Sequence, residues 1–217
     1  MRRYAEKQGL KPNAFETTNI TLAQLRAVAK FQGVDLRTSD QGGDIRIGDL
    51  LLIRSGFVKA YRALTAAQRT ALANRPFPGG PNSGHRFIGV EQTPAMADWL
   101  HNSYFAAVAG DQPAFESWPP QGLISLNTSN TFVQSNQVRI ASGLTRREKK
   151  GALSLHEQIL TYWGVGLGEF FDLERLAARC AQRRKWSFFL TSAPFNVDRE
   201  ILLLSHPTFS RGDVRGL

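Results

Sequence analysis

The chain has very little of what secreted and membrane proteins depend on. Cys180 is its single cysteine in 217 residues, which excludes an intrachain disulfide framework and favours a reducing compartment. No stretch approaches the ~20 consecutive apolar residues of a transmembrane helix. The basic start MRRYAEKQGL is not followed by an apolar segment, so it does not have the form of a secretory signal. These absences predict a cytoplasmic protein with no membrane contact.

Several common catalytic motifs are absent as well. One cysteine cannot supply a paired-cysteine zinc site, and no Gly-x-Ser-x-Gly elbow occurs. The pair His156-Glu157 begins like a zincin His-Glu-x-x-His helix, but Leu160 stands where the second histidine would be. The glycines of residues 164–168 do not complete a dinucleotide fingerprint, because the position that requires its third glycine is Glu169.

The net charge of +9 raises the question of a nucleic-acid partner. Residues 121–152 hold five basic residues against one acidic residue, and a second basic cluster lies between Arg179 and Lys185 at the end of a predicted helix. Neither cluster is interleaved with the aromatic side chains on which single-stranded bases stack. The distribution therefore indicates solvated surface, and no nucleic-acid partner is predicted.

Hydrophobic periodicity predicts an alternation of helices and strands, and hence an α/β fold. Thr21 and Gly33 are suited to begin and end the first long helix. Cys180 falls on the apolar face of the last helix, which indicates a packed thiol. The predicted helices are residues 21–32, 57–73, 93–101 and 172–185, and the predicted strands are residues 44–56 (buried on both sides), 85–90, 104–110 and 186–191.

Two segments show neither the helical nor the strand periodicity of apolar residues. Residues 120–152 are rich in Ser, Asn, Thr and Gln, and a structureless loop of ~30 residues is unusual inside a compact domain. Residues 198–217 pair an apolar patch, ILLLS, with the polar end SRGDVRGL. We therefore predict one domain over residues 1–197, interrupted by an irregular insertion at 121–152 and followed by an atypical tail at 198–217.

His156 and Glu169 flank the glycine-rich segment 164–168, which is predicted to be a turn that brings them together. A histidine and a carboxylate so placed can bind a metal or move a proton. Taken alone they are equally consistent with an ordinary helix histidine and a turn carboxylate. His85 and His101 are each followed by polar residues and are interpreted as surface or capping histidines.

Four strings of the sequence resemble successive blocks of one enzyme family. They are GDLLLIRSGF, GVEQTPAMADWLHNSYFAAVAGDQPAFESWP, LHEQILTYWGVGLGEFFDLERLAARC and WSFFLTSAPFNV. The family is the cyclase family of metal-dependent hydrolases, which includes kynurenine formamidase (arylformamidase), and the resemblance is closest to its fungal members. It implies a swivelling β/β/α fold and hydrolysis of an amide, formamide or related acyl bond. The best-known reaction of the family converts N-formylkynurenine to kynurenine in tryptophan catabolism.

The resemblance also implies a site. In the family a divalent metal, zinc or manganese, is held by a His-x-Gly-Thr-His-x-Asp motif with a further histidine, and it activates a water molecule. The distal histidine and glutamate of the family match His156 and Glu169. Carried over, both residues are catalytic and also metal ligands: Glu169 binds the metal or accepts a proton, and His156 orients or polarises the substrate carbonyl. A small-molecule substrate and a homo-oligomer are implied as well.

The family's principal metal motif is missing from the sequence, which contains no His-x-x-x-His and has its first histidine at position 85. His156 and Glu169 would then form an incomplete metal site in an N-terminally truncated domain. We interpret the chain as the product of a fragmentary gene model, with a translated intron near 121–152 and a shifted frame after Val197. Two functions follow: a hydrolase with impaired activity, or a degenerate, non-catalytic member that binds a partner or an anionic ligand.

Overall fold

Short helices alternate with short strands along the chain. The computed structural model describes residues 2–76, 84–120, 124–125, 152–191, 193–194 and 205–206. The helices are α1 (Arg2–Lys7), α2 (Leu22–Gln32), α3 (Phe57–Arg62), α4 (Ala66–Ala73), α5 (Pro94–Asn102) and α6 (Glu174–Arg183), with a 3₁₀ turn (Ser39–Gln41) and a π-helix (Glu157–Tyr162). The strands are β1 (Asn19–Ile20), β2 (Leu50–Ile53), β3 (Gly89–Val90), β4 (Ala107–Gly110), β5 (Ile124–Ser125), β6 (Ala152–Leu153), β7 (Gly166–Gly168), β8 (Ala193–Pro194) and β9 (Ser205–His206).

A parallel three-stranded sheet organises the domain, in the order β2-β4-β7. Its register aligns Leu50 with Ala107 and Ala107 with Gly166. Strands β1 and β3 form a separate parallel pair, while β5–β6 and β8–β9 are antiparallel pairs. Parallel neighbours require crossover connections, and α5 lies in the connection that precedes β4. The predicted α/β class is therefore confirmed as a mixture of helices and parallel sheet.

Helix α2 shows how closely local sequence signals can specify an element. The side chain of Thr21 accepts a hydrogen bond from the amide of Gln24, whose side chain in turn accepts from the amide of Thr21, so that a capping box closes the first turn. Gly33 ends the helix in the left-handed conformation, with φ of 73°. The predicted helix over residues 21–32 is confirmed, and its apolar face is buried at Leu22, Leu25, Val28 and Ala29.

The main core lies where α2, α5, β3, β4 and the segment before the π-helix meet. Burial of such side chains stabilises the fold by about 25 cal/mol per Å² of apolar surface removed from water. A smaller cluster packs Ala109 of β4 against Phe171 and Leu173. The most deeply buried apolar side chains of the main cluster, each at most 2% exposed, are Ile20, Ile88, Val90, Met96, Val108, Phe115, Leu155 and Ile159.

The predicted strand over residues 44–56 is much shorter in the structure. Only Leu50–Ile53 form β2, and the prediction that the strand is buried on both sides is wrong, since Leu50 is 45% exposed. β2 lies at the edge of its sheet and has β4 on one side only among the described strands. A continuous apolar run does not distinguish a central strand from an edge strand.

The predicted helix over residues 57–73 is divided in two. α3 ends at Arg62, and Thr65 begins α4 with a capping box in which its side chain accepts from the amide of Gln68. The hydroxyl of Thr65 thus caps a second helix, although the apolar residues recur at helical spacing across this position. The predicted strand over 85–90 is shortened to β3, whereas the predictions for 93–101 and 104–110 correspond to α5 and β4.

The predicted buried strand over residues 186–191 is wrong. These residues form neither helix nor strand, and Phe189 is 81% exposed. The preceding helix, α6, matches the prediction over 172–185 apart from its ends, and Cys180 is buried on its apolar face as expected. The predicted insertion at 121–152 and the tail at 198–217 lie outside the described residues, except for the strand residues 124–125, 152 and 205–206.

The end of α6 yields a test of backbone strain. Arg184 is the C-cap residue, with φ of 52°, and its amide donates to the carbonyl of Cys180. A left-handed conformation costs a residue with a Cβ atom about 1–2 kcal/mol, a cost that glycine avoids while losing more entropy on folding. Arg184→Gly is therefore expected to raise the free energy of unfolding by about 0.5–1 kcal/mol in urea titrations. Arg183→Gly, inside the same last turn, should lower the free energy of unfolding. A loss of stability in both variants would contradict the prediction.

Candidate active site

His156 stands in the first turn of a helical segment whose start is fixed by its own sequence. The amide and hydroxyl of Ser154 both donate to Oε2 of Glu157, at 2.8 and 2.9 Å, and the amide of Glu157 donates back to the Ser154 hydroxyl. Leu155 is fully buried beside it and anchors the turn in the main core. The chain then continues as a π-helix, a form that occurs often at functional sites.

Glu116 is the buried partner of His156. Its carboxylate accepts a hydrogen bond from Nδ1 of the His156 ring through Oε2 and from the His156 backbone amide through Oε1, at 3.3 Å. The Glu116 side chain is 1% exposed. A carboxylate at that depth is tolerated only when it is paired and hydrogen-bonded, so the His156 ring is a structural requirement of this part of the core.

The backbone around Glu116 is clamped to β3. The amide of Val90 donates to the carbonyl of Phe115, and the amide of Ser117 donates to the carbonyl of Val90, each at 3.0 Å. Gly89 permits this close approach: a Cβ atom there would lie 2.1 Å from the Glu116 carbonyl carbon. The position of the buried carboxylate is thus set by strand pairing and by one glycine.

Glu169 approaches the same imidazole from the opposite ring nitrogen. It follows β7 directly, and its Oε1 lies 2.8 Å from Nε2 of His156. The predicted glycine-rich turn is wrong in form, because Gly166–Gly168 are a strand beside β4, and only Gly164 adopts a left-handed turn conformation, with φ of 64°. The juxtaposition of His156 and Glu169 is nevertheless present, and it is produced by sheet pairing.

The end of β4 supports this arrangement through Asp111, which is fully buried. Its carboxylate accepts from the amide and hydroxyl of Ser55, at 2.6 and 2.7 Å, and from the amide of Gly56 at 2.9 Å. Burial raises the pKa of Asp111, and these hydrogen bonds act in the opposite direction. Asp111 thereby connects the end of β2 to the end of β4. The carbonyls of its neighbours Gly110 and Gln112 accept hydrogen bonds from the two residues that follow Glu169.

The two carboxylates determine the charge of the imidazole. Burial by itself would lower the pKa of His156, but the hydrogen bonds and charges of Glu116 and Glu169 outweigh it and raise that pKa to about 10. At neutral pH His156 is therefore an imidazolium that donates from both ring nitrogens. The side chains of His156 and Glu169 are each 29% exposed, so the Nε2 side faces the surface and the Nδ1 side faces the core.

The sequence analysis missed Glu116. The residue lies within one of the strings that carry the family resemblance. A signal was present, since Glu116 stands between Phe115 and the Ser117-Trp118 pair in a largely apolar stretch. A carboxylate predicted to be buried must have a partner, and a search for that partner would lead to one of four histidines or to a basic residue.

The divalent metal implied by the resemblance finds no complete ligand set here. Within the described residues, no group of three or more His, Cys, Asp or Glu side chains could hold a metal ion. Both ring nitrogens of His156 are hydrogen-bonded to carboxylates, so neither is directed at a separate metal position in this arrangement. His156 and Glu169 as arranged do not fit a metal, and the zinc or manganese ion stays a prediction.

The rings of His85 and His101 pack against aromatic side chains. The ring of His101 is exposed and packs edge-on against Trp163 at 5.1 Å between centroids, and the ring of His85 lies 6.2 Å from that of Phe87.

A groove of about 530 Å³ runs along β2 between α2 and α6, but Glu116, His156 and Glu169 do not line it. Among the described residues no helix is long and apolar enough to span a bilayer.

Comparison with solved structures finds a protein of similar fold. No family model matches the sequence, and no curated protein matches it. A solved structure described as a novel cyclase superposes with a TM-score of 0.57 and 23% sequence identity, covering 94% of this chain and 49% of that one. The fold is therefore cyclase-like, and the chain spans about half the length of that cyclase. At this identity the likeness defines the fold class and leaves the reaction open.

The raised pKa of His156 predicts a specific pH dependence. A basic group whose pKa is higher in the folded state than in the unfolded state contributes stability fully below the unfolded value of 6.5, and loses it as the pH rises through about 10. The difference in unfolding free energy between the native chain and His156→Gln should therefore be largest below pH 6.5 and shrink towards pH 10. Chemical denaturation across this range measures it.

The same pKa is directly visible by NMR titration of the His156 ring. Glu116→Gln should lower it, because a neutral amide replaces the buried carboxylate on Nδ1. His101→Gln is the matched control, since His101 is exposed and its ring lies 3.2 Å from Oδ1 of its neighbour Asn102. A His156 resonance that titrates near 6.5 in the native chain would contradict the assigned ion-pair arrangement.

Proposed function

We propose that this chain acts as a hydrolase of an amide, formamide or related acyl bond, with Glu116, His156 and Glu169 as its proton-handling array. The observation that carries the proposal is an imidazole hydrogen-bonded on both ring nitrogens, to the buried carboxylate of Glu116 at Nδ1 and to the partly exposed carboxylate of Glu169 at Nε2. The cyclase-like fold supports it. The resemblance in sequence favours an arylformamidase-like reaction, with N-formylkynurenine as the first substrate to test.

His156 would serve as the electrophilic group. A substrate carbonyl oxygen that displaces Glu169 from Nε2 would receive a charged N–H donor, which polarises the carbonyl and stabilises the oxyanion formed on attack. Glu116 would act through His156, because its hydrogen bond to Nδ1 fixes the ring and keeps the imidazole cationic. Glu116 is therefore assigned a positioning role.

Glu169 would serve as the proton acceptor. Once released from His156, its carboxylate can take a proton from a water molecule as the water oxygen bonds to the carbonyl carbon. Collapse of the tetrahedral intermediate breaks the carbon–nitrogen bond, and Glu169 returns the proton to the departing nitrogen. The net change is addition of one water molecule across the bond, and the array returns to its starting protonation state.

The zinc or manganese ion of the family would activate water if it is bound, and none of the steps above requires it. Metal analysis of the purified protein tests this separately. Stoichiometric metal that is lost in His156→Ala would support a metal-dependent enzyme. The absence of both metal and hydrolysis would favour the alternative, a non-catalytic family member that binds a partner or an anionic ligand. The homo-oligomer and the cytoplasmic location also stay predictions.

Substitution of the array tests its role in catalysis. His156→Asn and Glu169→Gln are each expected to lower kcat/KM for N-formylkynurenine by about 10²- to 10⁴-fold, the usual contribution of a positioned acid or base. His101→Asn is the matched control and should leave kcat/KM unchanged. If His156→Asn hydrolyses the substrate as fast as the native chain does, the catalytic assignment of His156 is overturned.

A further inference from the structure

Phe170, the residue after Glu169, has an unusual backbone conformation. Its φ is 54°, in the left-handed region that costs a bulky side chain free energy. Such conformations persist only where the surrounding structure imposes them, and they occur preferentially at functional sites. Phe170 adopts this conformation directly beside Glu169, the partly exposed carboxylate of the array.

Hydrogen bonds on both sides impose the conformation. The amide of Phe170 donates to the carbonyl of Gln112 at 3.2 Å, and the amide of Phe171 donates to the carbonyl of Gly110 at 3.0 Å. Successive amides thus bond to carbonyls in reverse order along the neighbouring segment. A regular parallel ladder advances in the same direction on both strands, so the chain turns back immediately after Glu169.

Packing holds the turn from two directions. The Phe170 ring, 48% exposed as a residue, meets the buried Phe57 ring edge-on, with centroids 6.0 Å apart and planes at 66°. Phe57 is fixed in turn by edge-on contacts with Phe15 and Phe87. On the other side Phe171 is buried in the small cluster with Ala109. The turn is consequently over-determined by contacts outside the array.

We propose that Phe170 is a positioning residue, whose left-handed backbone turns the chain directly after Glu169 and so holds the Glu169 carboxylate against Nε2 of His156. Residues 166–168 continue in register with β4, and without the turn the next side chains would follow the alternating pattern of the strand. The pairing of β7 with β4 brings Glu169 to His156, and the turn at Phe170 then holds the carboxylate at the 2.8 Å contact. The proposal deepens the proposed function, but it depends on that function only for its kinetic readout.

Two substitutions that both remove the ring separate conformation from packing. Phe170→Asn introduces a residue that tolerates the left-handed region, and Phe170→Val introduces a β-branched residue for which that region is a genuine outlier. The readout is the NMR signal of the His156 Nε2 proton, which is visible when its hydrogen bond to Glu169 protects it from exchange. We expect Phe170→Asn to retain this signal and Phe170→Val to lose it.

Arg184→Val provides the matched control, because Arg184 has φ of 52° at the end of α6 and lies outside the array. It should leave the Nε2 proton signal intact. If Phe170→Val does not fold, Phe170→Ala replaces it, with a weakened signal expected relative to Phe170→Asn. Loss of the signal in both Phe170→Asn and Phe170→Val, or its retention in both, would overturn the proposal.

Kinetics provide the second readout. With N-formylkynurenine, kcat/KM should fall about tenfold or more in Phe170→Val relative to Phe170→Asn, since a displaced catalytic group loses its orientation. If the native chain hydrolyses no substrate, the proposed function fails, while the comparison of Nε2 proton signals still decides whether Phe170 positions Glu169. The two failures are therefore distinguishable.

Discussion

The hydrogen-bonded ion pair between Glu116 and His156 is the interaction on which the centre of this structure depends. A carboxylate that is 1% exposed would be strongly destabilising without a partner, and His156 supplies both a ring N–H and a backbone N–H. The pair also joins two distant parts of the chain, the segment clamped to β3 and the helical turn after β6. Chemistry and folding are coupled here, because the group that would polarise a substrate also neutralises a buried charge.

Sequence patterns specified the elements whose signals are local. The capping residues and apolar face of α2, and the apolar stretch of β4, led to elements found close to their predicted positions. The patterns failed where burial is decided by distant neighbours. Nothing in residues 44–56 indicates that β2 is an edge strand, and nothing local to residues 186–191 indicates that Phe189 is exposed. Apolar composition reports a preference for burial, and the tertiary arrangement decides whether that preference is met.

The candidate site was predictable to a similar extent. Family resemblance selected His156 and Glu169, and the structure brings them together through β7 rather than through a turn. Glu116 and Phe170 were not foreseen. The first depends on a contact across forty residues of sequence, and the second on a backbone angle that only glycine, asparagine or aspartate would have signalled. Both are properties of the assembled fold.

The π-helix after His156 has a consequence for how this segment tolerates insertions and deletions. A π-helical turn accommodates one residue more than an α-helical turn would, and here the amide of Trp163 bonds to the carbonyl of Gln158, five residues earlier. Deleting Glu157 or Gln158, with α-helical geometry kept between His156 and Ile159, would rotate these two residues against each other by about 100° about the helix axis. With Ile159 fixed in the core, that rotation would carry the imidazole away from both carboxylates. The length of this segment is therefore as strictly constrained as the identity of the residues it presents.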